Sequence, residues 1–167
     1  MRKLFAAIVA IALSTQATAW ADTVAGDSIG VGVALASGMR NVAKGGVPID
    51  RTIIDRQLAR TSGKVWLFLG TNSMPGSVPV GDVRAIISFA HARNLTLVWV
   101  GPPCMNKSRR FGRYVPRFDA GLSAVVTATG ARYVSLNHAE HCSLPRLPDG
   151  VHFTSPGYHA IWNLVRK

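Results

Sequence analysis

Lys64-Val65-Trp66-Leu67-Phe68-Leu69-Gly70-Thr71-Asn72 is the stretch that decides the fold. After Lys64 the apolar side chains run without the polar alternation of a strand that has one wet face. The segment therefore reads as a parallel strand buried on both sides. Gly70 breaks the run, and Thr71-Asn72 sets polar groups at the strand's C-terminal end. The same grammar extends in both directions. Upstream, Thr23-Val24-Ala25 reads as a short first strand, 29–37 as a small-residue helix stopped by Gly38, and 39–43 as a second short strand before Gly45-Gly46. Pro48 then opens a helix with Ile49, Ile53, Ile54 and Leu58 on one face, and Gly63 closes it. Downstream, 80–93 is helical, with Val83, Ile86, Ile87 and Ala90 inward and Asn94 at its C-terminal turn. Residues 95–100 form another buried strand. Residues 115–129 form a helix that turns Phe118, Leu122, Val125 and Val126 inward and stops at Gly130. A last strand covers 131–136, and Ser155 caps a terminal helix with Pro156 in its first turn. Strands alternating with helices predict a three-layer α/β/α sandwich, flavodoxin-like, around a parallel five-stranded sheet. Sites in such sheets form beyond the C-terminal strand ends.

The first residues read differently. Met1-Arg2-Lys3 is a positively charged start, and 4–13 is an apolar run. Two small-x-small sites follow, Ala17-Thr18-Ala19 and Ala19-Trp20-Ala21, the pattern of a signal peptide cleaved after Ala19 or Ala21. The run is well short of the ~20 apolar residues that a membrane span needs, and no later stretch is long enough either. The expectation is a signal peptide over 1–21 and one exported domain, periplasmic or secreted, over 22–167. Of the 19 basic residues, two lie in the leader, leaving 17 against 8 acidic ones, a net charge of +9. That balance favours anionic surroundings such as an envelope polymer, acidic polysaccharide, lipid headgroups or nucleic acid. It is concentrated at Lys107, Arg109, Arg110 and Arg113, with Arg117 beyond. Arginines interleaved with Phe111 and Tyr114 could serve a nucleic-acid-binding module. For an exported chain without a nucleic-acid fold motif, a solvated loop or an anionic-glycan contact is the favoured reading. Cys104 and Cys142, an even pair in an oxidising compartment, permit one disulfide.

Chemistry gathers at the strand ends. Ser28, in Gly26-Asp27-Ser28, follows a strand and opens a helix, where backbone N–H groups point toward developing negative charge. A serine there is often only a cap; its company changes the reading. Gly45-Gly46 lets a backbone N–H approach a reacting carbonyl, and Asn72 offers an amide donor. Asp149 and His152, three positions apart, can hold an imidazole in one tautomer with its other nitrogen facing Ser28.

These blocks together resemble the SGNH, or GDSL-type, hydrolase family. Gly26-Asp27-Ser28 matches its first block, Gly46 its glycine block (with Gly45 a second register), Gly70-Thr71-Asn72 its G-x-N block and Asp149-Gly150-Val151-His152 its D-x-x-H block. Val100-Gly101-Pro102-Pro103 is also similar. Ser73 departs from the acidic residue that many members have after the asparagine, a change expected to alter loop hydrogen bonding only. The resemblance spans about 23–167 and implies the SGNH fold, a carboxylic ester hydrolase activity, a Ser28–His152–Asp149 triad and an oxyanion hole of Ser28, Gly46 and Asn72. It implies neither metal nor organic cofactor.

Other features weigh less. His138-Ala139-Glu140-His141-Cys142 packs metal-ligand types but lacks a second cluster, and reads as a loop lining the cleft. His91 and His159 suit surface or packing roles. Gly26, Gly30 and Gly32 lack the spacing of a dinucleotide loop. The expected activity is an exported serine esterase for small acyl, chiefly O-acetyl, esters on an envelope or extracellular glycan. Long-chain lipase activity is disfavoured by the absence of long insertions. An acyltransferase using the same triad, or a glycan- or polyanion-binding module without activity, are the alternatives.

Overall fold

The computed structural model describes residues 22–105 and 111–167. Five strands, β1 (Thr23–Gly26), β2 (Arg40–Asn41), β3 (Lys64–Phe68), β4 (Thr96–Pro103) and β5 (Arg132–Leu136), form one parallel sheet in the order β2-β1-β3-β4-β5. The unbroken apolar runs are explained by two cores, one on each face. Val24, Trp66, Phe68, Val98 and Val100 point to one face, where they meet α1 (Ser28–Ser37) and α6 (Ser155–Val165). Ala25, Val65, Leu67, Leu97 and Trp99 point to the other, under α2 (Arg51–Leu58), α3 (Val80–Ala92) and α4 (Val115–Thr127). Each strand residue is thus buried whichever way it points. A short α5 (Ala139–Cys142) lies in the loop after β5. No helix among the described residues is long and apolar enough to cross a membrane.

Several boundaries differ from the sequence expectation, each for a local reason. The second helix begins at Arg51, because the carboxylate of Asp50, not Pro48, takes the Ile53 N–H; Ile49 precedes the helix. Thr154, not Ser155, is the N-cap of α6, and Ser155 is its first helical residue. Strand β2 is only two residues long, and α4 ends at Thr127. Strand β4 runs on to Pro103 through a register shift between Val100 and Pro103. Prolines are tolerated there because β3 pairing ends at Val100 and only β5 remains alongside. The 138–142 segment forms α5, and Cys142 is bonded to Cys104 at a Cα–Cα separation of 5.2 Å. That disulfide removes the cysteine from any ligand set, while the His138 and His141 rings stack edge to face 5.5 Å apart.

Candidate active site

The turn that carries Ser28 is built from its glycine outward. Gly26 has φ +109°, and a Cβ there would overlap the Phe68 carbonyl of the neighbouring strand, so glycine is obligatory. Its N–H donates to Gln57 Oε1 at 2.7 Å, and its carbonyl accepts from Gln57 Nε2 at 3.0 Å. One buried amide side chain from α2 thus satisfies both polar groups of the peptide at the end of β1. The Asp27 N–H continues the sheet by donating to the Phe68 carbonyl at 2.8 Å. Asp27 itself is fully buried, and its Oδ1 takes the Ile29 N–H at 2.9 Å as the helix N-cap. The Oδ2 atom makes no hydrogen bond of ordinary geometry, although the Thr71 N–H and hydroxyl act on the carboxyl. Burial pushes Asp27 up to about 7, against the pull of Ile29, Thr71 and His152. Because Asp27 does the capping, the Ser28 hydroxyl in the first turn is left for other work.

That work is visible in its partner. His152 Nε2 lies 2.9 Å from Ser28 Oγ, and His152 Nδ1 lies 2.6 Å from Asp149 Oδ2. Donation of Nδ1–H to the carboxylate leaves the Nε2 lone pair facing the serine hydroxyl. Asp149 Oδ1 also accepts the N–H groups of Val151 and His152, at 2.9 and 3.0 Å, closing a tight turn in which Gly150 adopts φ +71°. Partial desolvation pushes this carboxyl up, but the His152 side chain and the two backbone donors outweigh it and hold the pKa down at about 2.

Sequence reasoning passed over what supports this loop. Arg146 donates from Nη2 to the Cys104 carbonyl and from Nη1 to the Val151 carbonyl at 3.1 Å, and its guanidinium lies 3.9 Å from the Phe153 ring centroid. Burial lowers its pKa, opposed by the charge of Asp149. It fastens the loop between Asp149 and His152 to the end of β4, where the disulfide also anchors. The Leu147 N–H bonds the His152 carbonyl at 2.9 Å from the same side. Neither Arg146 nor Gln57 belongs to a short motif, so only their side-chain partners identify them.

The other residues expected at the site lie on the loops after β2 and β3. Gly45 is adjacent, with its Cβ direction ending 3.9 Å from Ser28 Cβ; Gly46 has φ +77° and open space where a side chain would be. Asn72 is exposed in a 3-10 turn (Thr71–Ser73), and its Nδ2 donates to the Val47 carbonyl at 3.1 Å. That bond fixes the amide and leaves its second N–H without a hydrogen-bond partner among the described residues. Ser73 Oγ accepts the Ile49 N–H at 2.8 Å, so the family departure at this position is a stitch between two strand-end loops. Arg113 lies at the start of α4 and bonds the Tyr114 hydroxyl at 2.6 Å; Lys107, Arg109 and Arg110 lie outside the described residues, as does the 1–21 leader.

Comparison with known proteins gives a match in structure alone: no family model and no curated protein matches the chain. A protein from Slackia heliotrinireducens assigned to the SGNH hydrolases superposes with a TM-score of 0.66 at 15% identity, over 86% of this chain and 95% of that one. A GDSL-like lipase from Bacteroides thetaiotaomicron gives 0.63 at 16% identity, over 87% and 85%. The chain has the SGNH hydrolase fold. An acetylxylan esterase from Geobacillus stearothermophilus also superposes, with a TM-score of 0.63 at 14% identity over 87% and 92%. Gly26 pairs with Phe68 and Phe68 with Val100, so the loops carrying Ser28 and Asn72 leave the same C-terminal end of the sheet.

Proposed function

We propose that the protein is an exported serine esterase that hydrolyses small acyl esters, O-acetyl groups on a glycan in particular. The observation that carries this reading is the unbroken relay from Asp149 through His152 to Ser28, at 2.6 and 2.9 Å. His152 Nε2 takes the hydroxyl proton as Ser28 Oγ attacks the ester carbonyl, and Asp149 steadies the imidazolium. The oxyanion is received by the Ser28 and Gly46 N–H groups and by the free N–H of Asn72. Each such donor is typically worth ~10²–10³ in turnover. Collapse of the tetrahedral intermediate breaks the ester C–O bond, and His152 returns its proton to the departing alcohol. Water, deprotonated by the same imidazole, then attacks the acyl-serine and releases the acid. The site stands on open strand-end loops with Asn72 and Asp149 exposed, which suits a short acyl group on a polymer better than a long chain needing an apolar tunnel. Export is supported by the 1–21 leader pattern and by the Cys104–Cys142 pairing, which belongs in an oxidising compartment. The neighbour that acts as an acetylxylan esterase supports the choice of acetyl esters.

The test is turnover of p-nitrophenyl acetate by the wild type and Ser28→Ala. We expect wild-type hydrolysis and a loss on the order of 10⁴–10⁶-fold in the variant. Equal rates would end the reading.

A further inference from the structure

A second feature at the same edge of the sheet is not used by the triad. A groove of about 650 Å³ runs between the loop after Asn72 and the start of α4, bounded by Pro75, Val78, Arg113, Tyr114, Arg117 and Phe118. That volume lies within the range of ligand sites, ~300–1,000 Å³. None of the residues lining it is acidic. Pro75 is three residues beyond Asn72, a span of at most ~11 Å. Phe118 is buried beneath the groove, and a Cβ on Gly70, the first residue of the Gly70-Thr71-Asn72 block, would lie 3.4 Å from its Cε1. The groove therefore starts within about 11 Å of the proposed oxyanion donor.

Its chemistry is asymmetric. The guanidinium of Arg113 is held 4.8 Å from the Tyr114 ring centroid and spends one N–H on the Tyr114 hydroxyl, leaving the rest of its five donors. Arg117, four residues further on, is exposed and takes part in none of the salt bridges among the described residues. Like charges at this spacing repel, and an anion between them relieves the repulsion. Beside the two cations lies the half-exposed ring of Tyr114, against which the C–H face of a sugar can pack, while buried Phe118 only floors the groove. A planar guanidinium matches a carboxylate through two parallel N–H···O bonds.

We infer that this groove is a subsite for an acidic saccharide of the uronate type. Arg113 and Arg117 pair with its ring carboxylate, and Tyr114 supports its apolar face. An acyl group on an adjacent ring then reaches Ser28. The delivery step rests on the esterase reading; the binding step does not. Nucleic acid would need a series of stacking platforms, whereas this groove has one half-exposed tyrosine.

The experiment separates the two steps. Binding of oligogalacturonate is measured by calorimetry on Ser28→Ala protein, with and without Arg113→Gln plus Arg117→Gln. The double change should weaken binding about tenfold or more, high salt should do the same, and Arg117→Lys should keep part of the affinity. Arg60→Gln, an exposed arginine just past α2, serves as the control for charge alone and should leave binding unaltered. In active protein, KM for acetylated polygalacturonate relative to that for acetylated xylan should rise by a similar factor in the double variant. Unchanged affinity in the double variant, or tighter binding of a single-stranded oligonucleotide than of oligogalacturonate, would overturn the subsite. Absence of p-nitrophenyl acetate turnover in wild type would instead sink the esterase reading and leave the binding result to decide the subsite.

Discussion

The two ends of the Ser28–His152–Asp149 relay are held by opposite means. Ser28 stands on a turn fixed from inside: Gly26 lies against β3, Gln57 satisfies its peptide, and Asp27 is buried beneath it. Asp149 and His152 stand on an outer loop, half exposed, and are strapped to the sheet by Arg146 and the disulfide end of β4. The carboxyls of the two regions record the contrast. Burial drives Asp27 up to about 7, while hydrogen bonds hold Asp149 down at about 2. Ser28 is placed by packing and His152 by strapping, so the two should fail differently.

Damage to the packed side should be the most severe. Gly26→Ala drives a methyl group into the Phe68 carbonyl at a positive φ, and we expect no soluble folded protein, as judged by circular dichroism of the expressed chain. Removing the strap's anchor is next. The Cys104–Cys142 bridge closes a separation of 38 residues, and the chain-entropy relation for a loop of that size gives about 4 kcal/mol. Cys104→Ser with Cys142→Ser should lower the unfolding free energy by roughly that amount in urea titration. Cutting the strap itself should be milder on stability but visible in turnover. Arg146→Ala should reduce kcat about tenfold with KM little moved, and Arg146→Lys should restore part of it, because a single ammonium can bond one of the two carbonyls. Equal kcat in Arg146→Ala would show that the loop stands without its strap.

The smallest effect distinguishes the two carboxyls by pH. An acid whose folded pKa is raised adds no penalty below its unfolded value near 4, since it is protonated in both states. Between about 4 and 7 the unfolded chain gives up its proton while Asp27 keeps it, so stability falls as pH rises and then levels off. Asp149 has the opposite sign: its contribution is present above about 4 and is lost as pH falls toward 2. Thermal midpoints should therefore decline from pH 4 to 8 in wild type and stay nearly flat in Asp27→Asn, with the acid limb below pH 4 retained in both. A wild-type decline that persists in the variant would assign it to another group.

Much of this was legible in the sequence because its signals are local. Apolar runs named β3 and β4, and Gly38 marked a helix end, whereas α2 and α4 stop at Leu58 and Thr127, before the expected Gly63 and Gly130. Ser28 and Asn72 stand out because they follow β1 and β3, and Asp149 and His152 because they lie three positions apart in the loop before α6. What could not be read depends on partners far away in the chain. Gln57 sits on an ordinary amphipathic helix, and its role exists only through a peptide 31 residues earlier. Arg146 reaches back 42 residues to the Cys104 carbonyl. The prolines of β4 argued for an earlier strand end, because sequence does not reveal that β3 pairing has already stopped there.

The hydrogen bond between Ser28 and His152 joins residues 124 positions apart, across almost the whole described chain. Such a contact is the kind that closes late, after the local helices and neighbouring strand pairs have formed. On the proposed esterase reading, turnover would double as an assay of completed folding. During refolding, recovery of p-nitrophenyl acetate hydrolysis would lag the return of helical circular dichroism, timing the moment when the last loop docks onto the first turn.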